Sequence, residues 1–172
     1  MRTVLLLLLF ASAIEVLCEE FSEQGKLNLL NAHNEYRSRL AQGQLVVRGV
    51  KKPSASRMRK MSWSDKIATA ARLFAETCPK NHSDIKQLAA QRFQIGHAIQ
   101  MAWQDTSKVG CGYSKCSVGA PDQTLVVVCR YFQKGNIEGL PIYDEGKTCS
   151  KCPKHYQKCP FGLCEKEGIN TD

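Results

Sequence analysis

Beyond its first residues the chain lacks any apolar run long enough for a membrane helix, which excludes a spanning segment elsewhere. Acidic residues are missing altogether between Tyr36 and Ser64, where Arg37, Arg39, Arg48, Lys51, Lys52, Arg57, Arg59 and Lys60 fall. From Tyr143 onward five Lys face five Asp/Glu, so the formal charge of +8 belongs to the one basic segment. Carboxylates are also scarce between Ser83 and Gly96, where Asp84 is the sole acid. No complete set of nucleophile, base and orienting group is legible anywhere, which argues against covalent catalysis.

What is present begins with Arg2 ahead of an unbroken apolar run, Val4 to Phe10, followed by small residues and Val16-Leu17-Cys18. That is the pattern of a secretory signal peptide, too short to span a bilayer. A cut after Cys18 puts Val16 and Cys18 at the small-residue positions; a cut after Ala13 competes with it. The first choice removes Cys18 and leaves an even set of Cys78, Cys111, Cys116, Cys129, Cys149, Cys152, Cys159 and Cys164. In an exported chain such a set reads as disulfides rather than as zinc ligands, despite Cys149-x-x-Cys152. An extracellular location makes nucleic acid an unsuitable partner. The sharp reading of Lys51, Lys52, Arg57, Arg59 and Lys60 is then a basic patch for a sulfated glycan or lipid surface, and the bland one is a solvated loop.

Leu29, His33, Tyr36 and Leu40 recur on one helical face from Ser22 to about Ala41, with Gly43 as a stop. Gly43 to Lys60 reads as a loop. Ser64 is a good N-cap, Asp65 suits a first turn, and Ile67, Ala71, Phe74, Ala75 and Cys78 predict a second helix to Cys78, ended before Pro79. Ile95, Ile99, Ala102 and Trp103 fit a short third helical face. Lys108 to Lys115 and Gln123 to Phe132 read as strands joined by a turn at Ser117 to Asp122, the second Val-rich enough for burial on both faces. The order predicts an α+β or layered α/β/α domain at 19–142 after a leader at 1–18, with a small disulfide-dependent tail at 143–172.

His33-Asn34-Glu35-Tyr36-Arg37, Gly96-His97-Ala98-Ile99-Gln100-Met101-Ala102-Trp103, and Val128-Cys129-Arg130-Tyr131 with Gly135-Asn136 together resemble the CAP superfamily of cysteine-rich secretory and venom-allergen-like proteins. Cys78-x-x-x-His82-Ser83 and Val109-Gly110-Cys111-Gly112 extend the match, and the Cys-rich tail looks most like secreted nematode members, the activation-associated proteins. The resemblance implies an α/β/α sandwich whose cavity is lined by two histidines and two glutamates able to hold zinc. The histidines carry over to His82 and His97. The glutamates do not, because the interval between the motifs is short by about one strand and one helix. Zinc is then expected to bind weakly at most, with no other cofactor.

The resemblance also implies Cys78–Cys116 and Cys111–Cys129 bridges. For the tail, Cys149–Cys159 with Cys152–Cys164 is one of three connectivities, and spacing alone does not choose among them. His33 and Arg37, at i and i+4, read as a fold-supporting hydrogen-bonded pair rather than a catalytic dyad. Asn81-His82-Ser83 is a glycosylation sequon. The expected function is a secreted, host-modulatory binding protein acting on a host extracellular protein, a sulfated glycan or a lipid surface. A sterol- or fatty-acid-binding protein is the alternative, and a zinc hydrolase using His82 and His97 is a third.

Overall fold

The computed structural model describes residues 20–79, 90–117, 124–166 and 168, with 90–94 described by backbone alone. Helix α1, Glu23–Ala41, starts where the Ser22 side chain accepts from the Gly25 amide, and places His33, Arg37, Leu40 and Ala41 inside. The predicted loop that follows contains a small hairpin, β1 Val46–Val47 against β2 Val50–Lys51. Its two-residue turn, Arg48-Gly49, has positive φ at both positions, as a right-twisted hairpin needs.

Strand β3, Ser62–Trp63, leads into helix α2, Asp65–Glu76, whose Ser64 cap accepts from the Ile67 amide. The helix stops two residues before Cys78, because Cys78 itself takes the left-handed conformation that turns the chain out. Helix α3 is Ala90–Ala102, and strands β4, Lys108–Cys116, and β5, Thr124–Phe132, complete the main body. The sheet runs β3-β4-β5, with β3 parallel to β4 and β4 antiparallel to β5, Cys111 opposite Cys129.

Alternation along β4 makes the sandwich. Val109 and Cys111 face α1, packing with Met61, Leu29, Leu30 and Phe21. Gly110 and Gly112 face α2, and a Cβ on Gly112 would sit 2.4 Å from the Arg72 Cα, one on Gly110 2.3 Å from the Ala68 amide nitrogen. The Val-Gly-Cys-Gly sequence is therefore two packing residues alternating with two that let a helix lie directly on the sheet.

A second core joins Leu40, Ala41, Leu45, Ala55, Met58 and Ala102 to Leu163 of the tail. The tail is crosslinked by Cys149–Cys159 and Cys152–Cys164, while Cys78–Cys116 and Cys111–Cys129 staple the sandwich. Residues 143–166 are laid against the 54–60 segment by main-chain bonds, among them Cys164 N to Met58 O at 2.7 Å and Lys60 N to Cys164 O at 2.9 Å.

Strand β5 departs from its reading as doubly buried. None of its residues is buried, and Leu125, Val127 and Phe132 are 56%, 47% and 57% exposed. It is the outer strand, and its Val127 and Leu125, opposite Tyr113 and Lys115, remain about half in solvent. Ile95, expected on the third helical face, is likewise 49% exposed.

Candidate functional site

The family-like motifs converge where α1 crosses the end of α3. His33 Nδ1 lies 2.7 Å from the Leu29 carbonyl, so that nitrogen carries the proton, and Nε2 at 2.9 Å accepts from the Tyr131 hydroxyl on β5. Burial, above all, pulls the His33 pKa below its usual value, with Arg37 acting the same way, and burial lifts Tyr131 to about 12. The ring is a neutral bridge between helix and sheet.

Arg37 does not bond to His33, which corrects the expected pair. Its fully buried guanidinium donates to the carbonyls of Arg59, Met101, Trp103, Gln104 and Thr106 over 2.7–3.1 Å. Met101 lies in the last turn of α3 and Trp103 just beyond it, where carbonyls have no partner within the helix, so the cation caps the negative end of α3. Burial is the largest influence on Arg37 and lowers its pKa to about 9, with Asp105 pushing back.

Asn34 forms a reciprocal pair with the Met61 main chain at 2.8 and 3.0 Å. Gln100 donates to Thr106 Oγ1 at 2.9 Å and accepts from the Gly135 amide at 2.8 Å, and the Asn136 side chain donates to the Gly96 carbonyl at 3.0 Å. Sequence reasoning did not single out Asn34, Gln100, Thr106 or Tyr131 as site residues. Asn34 and Thr106 donate to main-chain carbonyls, and Gln100 and Tyr131 to side chains outside their own elements, so neither kind of partner leaves a local mark in the sequence.

The five residues of the basic segment do not form one patch. Arg57 bonds Asp105 at 2.9 Å and Asp144 at 2.5 Å, Arg59 bonds Asp105 at 3.1 Å, and Lys60 bonds Glu165 at 2.5 Å. Arg57 in turn holds Asp144 below the usual carboxylate range. The partners come from distant parts of the chain, so three of these five cations are neutralised in space by acids that are remote in sequence. Lys51 is left on the exposed hairpin, with half-buried Lys52 beside it.

His97 is an exposed residue of α3, while His82, Asn81 and Asp84 lie outside the described residues. Among the described residues three potential metal-ligand atoms come within 4.8 Å of one another only at Cys149, Cys152 and Cys164, and all three sulfurs are spent in disulfides. Sulfurs held in disulfides are not thiolates, so that donor set does not fit zinc. Glu76, in the last turn of α2, is held by Arg72 on the same helix.

One recess of about 290 Å³ lies between the start of α1, α2 and β4, lined by Phe21, Ala68, Thr69 and Cys111 among others. Its cations are already matched. Lys26 bonds Glu23 and Asp65 at 2.9 and 3.0 Å, while Arg72 lies 3.8 Å from Glu20 and bonds Glu76. The volume is at the lower end for small-molecule sites, about 300–1,000 Å³, and the rim is charged rather than apolar.

A three-layer sandwich with these motifs and staples defines the class. The family model of CAP, the cysteine-rich secretory protein family, matches residues 30–92 and 85–131, and the chain belongs to that family. It is similar to mouse peptidase inhibitor 16, 26% identical over 182 residues covering 84% of this chain, and to scoloptoxin SSD43 of Scolopendra dehaani, 27% identical over 85% of this chain and 89% of the toxin. The chain spans only 34% of the mouse protein and 42% of its human counterpart. Among solved structures, NaASP2 with Zn2+ superposes with a TM-score of 0.70 at 28% identity, covering 84% of this chain and 96% of that one. Na-ASP-1 gives 0.70 at 25%, covering 86% and 51%. The alignment to the mouse protein is longer than the 172-residue chain while covering only part of it, so that relative carries residues this chain skips.

Proposed function

We propose that this is a secreted binding protein, a host-directed excretory product of a nematode, which acts by surface contact and not by turnover. The observation that carries the reading is how the motif side chains are used. His33, Asn34, Arg37 and Gln100 spend their polar atoms on main-chain groups and on one another's elements, holding α1, α3 and the sheet together. A group so committed is not poised to move protons on a substrate. The short interval after Ser83, without the family's glutamates, weighs against a metal hydrolase in the same way. The sterol-binding alternative is less well supported, because the recess has a charged rim.

The chain expressed with its own leader in eukaryotic cells is expected in the medium, beginning near Glu19. Labelled protein is expected to bind host cells saturably, with unlabelled protein competing, and to show no ester or peptide hydrolysis above a heat-denatured control when zinc is supplied. Zinc-dependent turnover that follows folded protein would replace this reading with the hydrolase.

A further inference from the structure

A cationic surface lies in the tail, although the tail's Lys and Asp/Glu balance in number. Between Lys147 and Cys164 there is no acidic residue, and Lys147, Lys151, Lys154, His155 and Lys158 are all exposed. None of the four lysines is ion-paired with a described carboxylate. Of the described tail acids, Asp144 is ion-paired with Arg57 and Glu165 with Lys60, while Glu145 is exposed at the margin; Glu167 and Asp172 lie outside the described residues. Two interleaved disulfides, with Cα–Cα distances of 6.3 and 5.5 Å, hold Lys151, Lys154 and Lys158 within one small crosslinked knob, with Lys147 just ahead of it.

Phe161 belongs to the same knob. It is 80% exposed, more than any other large apolar residue described. Its backbone is left-handed, φ 54° and ψ 29°, an outlier for a bulky residue. It is held there by α1, whose Ser38 hydroxyl and Gln42 amide donate to its carbonyl at 2.6 and 3.0 Å. A strained backbone that displays an aromatic ring in water is kept only where the surroundings over-determine it, which is typical of binding sites.

We propose that this knob is a docking surface for anionic lipid bilayers, the lysines meeting headgroups and the Phe161 ring entering the interface. Lysines alone would suit any polyanion. A fixed, exposed ring in the same Cys152–Cys164 loop as Lys154 and Lys158 favours a surface that is negative outside and apolar beneath. The proposal adds a partner to the reading as a secreted binding protein, but purified protein can fail to bind lipid while secretion and cell binding stand.

The test is co-sedimentation of the disulfide-intact chain with vesicles of phosphatidylcholine, with or without phosphatidylserine. Binding is expected only to the phosphatidylserine vesicles, weakening with salt. Combined Lys151→Gln, Lys154→Gln and Lys158→Gln is expected to lower partitioning at least about tenfold. Phe161→Asn, a residue that tolerates the left-handed backbone, is expected to lower it about fivefold. Equal binding to both vesicles, or to neither, overturns the proposal. So does a loss in the lysine variant but none in Phe161→Asn, together with tight lysine-dependent binding to heparin, which would make the partner a sulfated glycan. The wild type's dependence on phosphatidylserine and salt is a second measurement that no folding defect in a variant can imitate.

Discussion

His33 shows how much of a functional motif is structural. The helix face carrying His33 and Arg37 was legible from spacing, but the pairing between them was not, because each reaches across the fold to a partner with no local signature. The buried neutral ring has a consequence in solution. Its folded pKa lies below the usual 6.5, so on acidification the unfolded chain takes up a proton first. The stability it contributes is complete above about pH 6.5, is lost as pH falls toward the depressed folded value, and changes no further below that. Melting temperature is therefore expected to fall from pH 7 to 5, and His33→Gln is expected to flatten that slope while lowering stability by about 1 kcal/mol for the lost Tyr131 bond. A variant with the wild-type slope would show that another group governs the acid limb.

At the scale of elements, the helices were readable because Ser22 and Ser64 cap them and apolar residues recur at 3.6 spacing. Strand β5 was readable as a strand, but its burial was not, since that depends on what else stacks on it. The two strands differ in a way that substitution can measure. Gly112→Ala on β4 drives a Cβ to 2.4 Å from the Arg72 backbone, which cannot swing aside as a side-chain tip would. The expected cost is about 1–3 kcal/mol or more, with α2 lifted from the sheet. Val127→Thr on β5 changes a 47%-exposed side chain and is expected to stay within about 0.5 kcal/mol. Denaturant midpoints decide it, and a comparable loss at both sites would mean that β5 is covered after all.

At the scale of the whole molecule, a boundary at Tyr143 is natural in composition, with cysteines clustered beyond it and little apolar material to pack. The contacts run across that boundary. Leu163 is 2% exposed in the same core as Leu40 and Met58, Cys164 is fully buried and bonded through its main chain to Met58 and Lys60, and Asp144 and Glu165 neutralise Arg57 and Lys60. These links are invisible in composition because a single leucine among lysines and cysteines does not look like core. Burying one such side chain contributes about 1.5–3 kcal/mol. Each tail disulfide closes a loop of 10 or 12 residues, a crosslink of about 3 kcal/mol that here also holds Leu163 in place. A chain of residues 19–142 is therefore not simply a trimmed equivalent of residues 19–172: it loses core, Lys60 loses Glu165, and Arg57 keeps only Asp105 of its two acids. Its thermal midpoint, followed by far-ultraviolet circular dichroism under non-reducing conditions, is expected to drop on the order of 10 °C. Leu163→Ala in the full chain, which leaves the disulfides and charges in place, should reproduce part of that drop. Equal midpoints for the long and short chains would make the tail an independent appendage, and the shared core would then contribute nothing to holding the sandwich together.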